Sequence, residues 1–163
     1  MEIPLLIIRT LIPADHSAAL DLWRSCPGIQ LRAEDGYAGL CAYLQRNPGL
    51  SLAGEVDGVL VATLLAGHDG RRGYLQHLVV APAMRRHGYA RRLLDEAARR
   101  LHEQGIGKAH VFVLRDAVDA MPFWGSQPGW QQRDDIQVYS TLSGDEGVVS
   151  VGAGSSGAWE RAK

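Results

Sequence analysis

Between Ala90 and Leu101 the apolar residues Ala90, Leu93, Leu94, Ala97, Ala98 and Leu101 fall at i, i+3, i+4, i+7, i+8 and i+11. That spacing draws one unbroken stripe along a helix, which must be sealed against an apolar layer elsewhere in the chain. Gly105 stands where a C-terminal cap is expected. On the wet face Asp95 with Arg99 and Glu96 with Arg100 read as i,i+4 pairs, worth roughly 0.2–0.5 kcal/mol each. Apolar runs on either side supply the layer: Tyr74 to Val80 before the helix and Ala109 to Leu114 after it read as strands.

The rest of the chain alternates in the same way. Leu5 to Leu11 reads as a first strand, and Pro13 and Asp15 open a helix carrying Ala18, Ala19, Leu22 and Trp23, which Pro27-Gly28 ends. A second helix is expected from Glu34 to Arg46, with Tyr37, Leu40, Cys41 and Leu44 at helical spacing and Asn47-Pro48-Gly49 as its breaker. Leu50 to Val56 turns at Asp57-Gly58, a hairpin signal, into Val59 to Ala66. Asp119 to Gly125 reads as a short helix and Gln131 to Leu142 as one or two closing strands. From Ser143 to Lys163 the composition shifts to Gly and Ser and reads as a flexible tail, although Val148 to Val151 can add to a sheet and Trp159 can dock. The pattern predicts one mixed α/β domain over 1–142 and a tail over 143–163.

Composition narrows the function classes. In 163 residues, 46% are apolar, enough for a core, and the formal charge of -1 argues against a dedicated nucleic-acid binder. Two cysteines, Cys26 and Cys41, build neither a disulfide framework nor a zinc cluster, so no metal is expected and a cytoplasmic, reducing setting suits the chain. The run Pro4 to Ile8 is far shorter than the ~20 residues that span a bilayer and lacks the flanks of a leader, so no membrane association is expected.

The chemistry concentrates in Ala81-Pro82-Ala83-Met84-Arg85-Arg86-His87-Gly88-Tyr89, between strand and helix. A helix N-terminus offers unpaired N–H groups and partial positive charge, a natural seat for phosphate. Gly88 permits positive φ and close approach of a ligand. Arg85, Arg86, Arg91 and Arg92 add cationic charge. A solvated basic helix start with a turn glycine is the plainer alternative, favoured for Gly88 alone but not for the whole combination. Neither a P-loop lysine nor a Gly-x-Gly-x-x-Gly run is present.

Arg85-Arg86-His87-Gly88-Tyr89-Ala90 resembles the Arg/Gln-x-x-Gly-x-Gly/Ala loop of the GNAT superfamily of acetyl-CoA-dependent N-acetyltransferases, and Ala120 to Trp130 is similar to its Ala-x-x-Phe-Tyr-x-x-x-Gly-Phe segment. The resemblance covers Ile3 to Leu142. It implies an acyl-CoA N-acyltransferase fold, a mostly antiparallel central sheet with a splayed parallel strand pair and flanking helices. It implies acetyl-CoA as co-substrate and an amine acceptor, attacked directly in a ternary complex. By the same resemblance the backbone of Leu78, Val79 and Val80 pairs with the pantetheine arm, and a backbone N–H near Val79 polarises the thioester carbonyl. N–H groups from Arg86 through His87, Gly88 and Tyr89 to Ala90 hold the pyrophosphate, with Arg85 and Arg91 close by, and Phe123 and Trp124 wall the pantetheine end.

Acyl transfer also needs a base, because an alkyl ammonium of pKa ~10 is mostly protonated at neutral pH. Regular alternation puts Tyr74, Gln76, Leu78 and Val80 on one face of their strand and Leu75, His77 and Val79 on the other. Many relatives place Glu or His where Tyr74 or Gln76 stands. His77 is the candidate base, and the bulge common in this strand of the family would flip the alternation and turn it round. A satisfied core histidine is the plainer alternative; His68, Asp69 and His110 are further candidates. Trp124 stands where the family places a Tyr that protonates the thiolate, and an indole cannot act as that acid. Tyr139, Tyr74 or water would take over, or the thiolate leaves unassisted. Ala117 stands where many relatives carry an Asn that bonds the cofactor arm.

The acceptor surface is expected on the first two helices, the loop Gly67 to Gly73 with Arg71 and Arg72, and the closing strands. Trp23, Tyr37 and Tyr43 read as core or groove wall. Small amines, amino acids and peptide amines all remain open as acceptors. So do a homodimer paired through Val148 to Val151, and two competing classes: an acyl-CoA-binding module without turnover, and a scaffold with no ligand.

Overall fold

The computed structural model describes residues 2–141. The tail from Ser143, with Val148 to Val151 and Trp159, lies outside them. One compact unit runs to Pro122 and a second begins at Phe123.

The first unit is built on a five-stranded sheet in the order β1-β2-β3-β4-β5. Its strands are β1 (Ile7–Thr10), β2 (Leu52–Val56), β3 (Val59–His68), β4 (Gly73–Val80) and β5 (Ala109–Val111). Neighbours are antiparallel except β4 with β5, which run parallel. Asp57 and Gly58 both take positive φ, 50° and 77°, the geometry of a tight hairpin turn between β2 and β3. A parallel pair needs a crossover, and the amphipathic stripe provides it as α3 (Tyr89–Glu103).

Helix α3 buries Tyr89, Leu93, Leu94, Ala97 and Leu101 against one sheet face. The fit is close at Gly73, where a Cβ would lie 2.9 Å from the Leu101 side chain and 3.1 Å from that of Ala109. The other face is covered by α1 (His16–Arg24) and α2 (Tyr37–Arg46). Its core joins Leu11, Ala19, Leu22, Trp23 and Leu40 to Ala53, Leu65 and Val79 of the sheet. Arg9 ties β1 to both sides, its guanidinium bonded to Asp15 and to Glu55, which holds the Asp15 carboxyl below its ordinary range. On the wet side of α3, Glu96 takes both Arg99 at 2.8 Å and Arg100 at 2.7 Å. The expected Asp95–Arg99 pair does not form; Asp95 faces Arg91 at 3.4 Å instead.

Several boundaries move for physical reasons. The first strand is shorter than Leu5 to Leu11 because Leu5 is exposed and unpaired. The second helix starts at Tyr37 rather than Glu34: Ala33–Asp35 forms a separate 3-10 turn, closed by Gly36, whose extended φ and ψ interrupt the helix. Strand β5 stops at Val111 instead of Leu114, because β4 leaves its side after Leu75 and Phe112 is left exposed.

The expected closing strands from Gln131 do not form among the described residues, where 131–141 carries no strand. Ile136, Val138 and Tyr139 are exposed, and alternation without a partner ladder makes extended chain rather than sheet. The helix α4 (Ala120–Ser126) crosses into the second unit. There Trp124 packs edge-on against Phe123 and Trp130, with ring centroids 5.4 and 4.7 Å apart. Among the described residues, no helix is long and apolar enough to cross a membrane, and no group of three or more His, Cys, Asp or Glu could hold a metal ion.

Candidate active site

Strand β4 does not run straight. Ala66 faces Leu75 and Leu65 faces Gln76, but Thr63 then faces Val79, so an extra residue sits opposite Leu64. The bulge centres on His77, whose φ is +48°. Holding a non-glycine residue there costs on the order of 1–3 kcal/mol and persists only where neighbours enforce it. Thr63 does so, since its hydroxyl donates to the His77 carbonyl at 3.0 Å and accepts from the buried Trp23 indole at 2.9 Å.

The bulge overturns the regular alternation. Leu75 turns to the α3 face, as Ala66 does, while Gln76, His77 and Val79 all reach the α1–α2 face. His77 therefore joins Gln76 instead of opposing it. Its ring lies edge-on to Trp23, centroids 4.6 Å apart, and its Nε2 is 2.7 Å from Asp35 Oδ1. Both side chains are nearly buried, 13% and 10% exposed. Among the described residues His77 Nδ1 has no partner, and it is not among the fully sealed, unpaired polar atoms, so it keeps some contact with solvent.

On its other side, next to the bulge, β4 also loses its neighbour. Strands β4 and β5 pair only from Gly73 to Leu75, leaving the β5-facing edge of β4 free from Gln76 to Val80. Ala81 N–H bonds Val61 C=O, and antiparallel ladders alternate the direction of their backbone groups. The N–H and C=O of Val79 thus turn inward to β3, whereas those of Leu78 and Val80 turn to the free edge. The N–H nearest to Val79 that faces the free edge is therefore that of Leu78. Val79 itself contributes a core side chain, 4% exposed.

Beyond Val80 a 3-10 turn (Pro82–Met84) leads into the loop. Arg86 at φ +64° and Gly88 at φ +78° give it two left-handed residues, a geometry that gathers successive N–H groups into a concave anion seat. The first helical bond of α3 runs from Arg92 N–H to Gly88 C=O at 3.1 Å, so the N–H groups of Tyr89, Ala90 and Arg91 have no acceptor within the helix. A Cβ on Gly88 would meet nothing within 4 Å; the space over the loop is open.

The arginines divide. Arg92 donates one N–H to the Leu6 carbonyl at 3.0 Å. Arg85 folds back onto Val80 C=O at 3.2 Å and Cys26 Sγ at 3.6 Å, and Arg91 faces Asp95. Arg86 has no ion-pair partner among the described residues. His87 Nδ1 donates to Met84 C=O at 3.1 Å, leaving its Nε2 as an acceptor in the neutral ring. The Tyr89 side chain turns away into the core, its hydroxyl donating to Pro4 C=O at 2.6 Å. Phe123 and Trp124 belong to the second unit.

On the α2 side of β3 and β4, Tyr43, Arg46, Asn47, Gly67, Tyr74 and Gln76 line a recess of about 270 Å³. A Cβ at Gly67 would come within 2.7 Å of the Asn47 amide and the Tyr43 hydroxyl. That hydroxyl is buried without a partner, and burial pushes its pKa up to about 12, so it stays a neutral donor. Of the alternative bases, His68 is occupied by Gln104 and Gly70 N–H. Asp69 Oδ1 accepts the N–H groups of Arg71 and Arg72, and the His110 ring lies tilted beside Tyr74, centroids 6.0 Å apart. No local signal in the sequence marks Asp35 or Thr63. Asp35 reads there as the opening turn of a helix, and nothing local connects it to His77.

The acetyltransferase (GNAT) family model matches residues 16–127. An acetyltransferase of Pectobacterium atrosepticum is 31% identical over 109 residues, covering 67% of this chain and 77% of that protein. An aminoglycoside N-acetyltransferase, AAC(6')-Iy, solved with CoA, superposes with a TM-score of 0.68 at 16% identity, covering 86% of this chain and 97% of that one. The PaiA N-acetyltransferase of Thermoplasma acidophilum, in complex with coenzyme A, gives 0.66 at 19% identity, covering 74% and 87%. The free edge of β4, the left-handed loop and the start of α3 are thus parts of an acetyltransferase fold, and the chain belongs to the GNAT family of N-acetyltransferases.

Proposed function

We propose that this enzyme moves an acetyl group from acetyl-CoA to a primary amine by direct attack in a ternary complex, with His77 as general base. The observation that carries this reading is the bulge: it turns His77 onto the sheet face that carries Gln76 and the recess, beside the free edge of β4. Bound acetyl-CoA supplies the activated acyl group. The chain meets it with the free N–H and C=O groups of Leu78 and Val80 along the pantetheine arm. N–H groups from Arg86 to Ala90 and the unpaired Arg86 guanidinium meet the pyrophosphate, and the Leu78 N–H meets the thioester oxygen.

The acceptor enters on the recess side, past Gln76 and Tyr74. His77 Nδ1, directly or through one water, takes the proton the ammonium must lose. The amine lone pair then forms the C–N bond, the C–S bond breaks with its pair going to sulfur, and the second amine proton reaches the thiolate through solvent. Unassisted departure is chemically tolerable because a thiol pKa lies near ~8.5, which fits Trp124 in place of an acid. A small amine, an amino acid and a peptide amine all satisfy this chemistry.

The test is a thermal-shift titration with acetyl-CoA followed by thiol release over pooled amines. Acetyl-CoA should raise the Tm, and at least one pool should release thiol. In His77→Gln the Tm shift should persist while kcat falls by about 10²-fold or more. Stabilisation without turnover on any pool would replace this reading by an acyl-CoA-binding module, and full kcat in His77→Gln would remove the base.

A further inference from the structure

The Asp35 carboxylate has no part in the cradle, the free edge or the recess, yet it is almost wholly buried and both its oxygens are used. Oδ2 accepts the Arg32 N–H at 2.8 Å, and Oδ1 lies 2.7 Å from His77 Nε2. A carboxylate can only accept, so the His77 nitrogen facing it must carry hydrogen. In the neutral ring that leaves the lone pair on Nδ1, the nitrogen without a partner among the described residues. The anchor is itself anchored: Asp35 C=O accepts from His16 Nε2 at 2.9 Å, and the turn Ala33–Asp35 is closed by Gly36 N–H onto Ala33 C=O.

We propose that Asp35 is a positioning residue for acetyl transfer: it holds His77 in the Nε2–H tautomer, so that Nδ1 is presented as the proton acceptor. The assignment rests on His77 being the base. A buried carboxylate behind a histidine at a strained backbone position orients the ring and supports the imidazolium formed when Nδ1 takes the proton. Trp23 packs against the ring in an edge contact, and Thr63 bonds the His77 carbonyl at the bulge.

Asp35→Asn gives a sharp test. Arg32 N–H requires an acceptor, so the amide oxygen must stay where Oδ2 is and the NH₂ group must face His77. That reverses the hydrogen bond and puts the proton on Nδ1. The fold should survive, because the bond closing the turn is kept. The imidazole ¹⁵N spectrum of the full-length wild type should show an Nε2–H ring at His77, and that of Asp35→Asn an Nδ1–H ring. The kcat of Asp35→Asn should fall by about 10²-fold or more while KM for acetyl-CoA and Tm stay close to wild type. In the His77→Gln background the same substitution should change kcat by less than about twofold.

An equal loss in both backgrounds would make Asp35 a structural residue and overturn the proposal. So would an unchanged Nε2–H signature, or wild-type kcat in Asp35→Asn with His77→Gln inactive. Full kcat in His77→Gln alone overturns the base, and the catalytic role of Asp35 with it, even if the tautomer reverses.

Discussion

The cradle and the His77 centre share one strand-loop-helix unit but are assembled differently. Arg85 to Ala90 are consecutive, and the shape of their loop comes from local conformation: two left-handed residues and the unpaired N–H groups of a helix start. The His77 centre joins residues 42 positions apart in sequence, through a bulge, a 3-10 turn and an indole from α1. A local device tolerates change in the surrounding core and fails when its own backbone is altered. A centre built from distant elements fails when any support is removed, even one that touches no substrate.

The largest break expected in the local half is Gly88→Trp. It forces a bulky residue into φ +78° and fills the open space over the loop. Acetyl-CoA Kd should rise at least about 100-fold, about 2.7 kcal/mol, and ligand-induced stabilisation should vanish in a thermal-shift titration. An unchanged shift would mean the cradle is not the binding site.

For the distant half, Thr63→Val keeps the shape but orphans the Trp23 indole and releases the His77 carbonyl. The buried unpaired donor costs roughly 1–3 kcal/mol. Calorimetry should show Tm lower by several degrees, with reduced kcat but acetyl-CoA Kd near wild type. A fall in affinity with unchanged kcat would show that the bulge serves the cradle rather than the base.

The arginines sharpen the comparison. Arg86→Gln should weaken acetyl-CoA binding about fivefold, or about 1 kcal/mol, as an exposed phosphate contact would. Arg92→Gln should instead lower Tm through the lost Leu6 contact and leave Kd nearly unchanged. Isothermal titration of both variants decides it; equal losses of affinity would show that the position of the charge does not matter.

The smallest effect lies outside both sites. Bonds from Arg99 and Arg100 hold the Glu96 pKa at about 2, below the ordinary 4.5. A depressed carboxyl stabilises the fold above its unfolded value and loses that contribution as the pH falls from 4.5 toward 2. Solvent screens this surface cluster, so it is worth about 0.2–1 kcal/mol. Glu96→Gln should therefore be slightly less stable than wild type at pH 7 and indistinguishable from it near pH 2, read from Tm against pH.

Much of the site was legible because its determinants are local. The apolar stripe of α3, the Asp57-Gly58 hairpin and the Arg85 to Ala90 loop are each set by residues within a turn or two of one another. Where a partner decides, sequence ran short. The alternation at Gln131 to Leu142 looks like strand, but among the described residues 131–141 forms none, and Ile136, Val138 and Tyr139 are exposed. Arg92 and Arg86 read alike in sequence; only the tertiary structure shows that Arg92 bonds the Leu6 carbonyl while Arg86 has no ion-pair partner among the described residues.

Periodicity and turn chemistry, set by neighbours in the chain, determined most of which segments are helix or strand and where a helix start leaves N–H groups unpaired. Tertiary packing alone decided that β4 bulges at His77, that the histidine therefore faces α1 and α2, and that Asp35 stands behind it. A bulge reverses the facing of every residue beyond it, and whether it forms depends on partners far away in sequence, here Thr63 and Trp23.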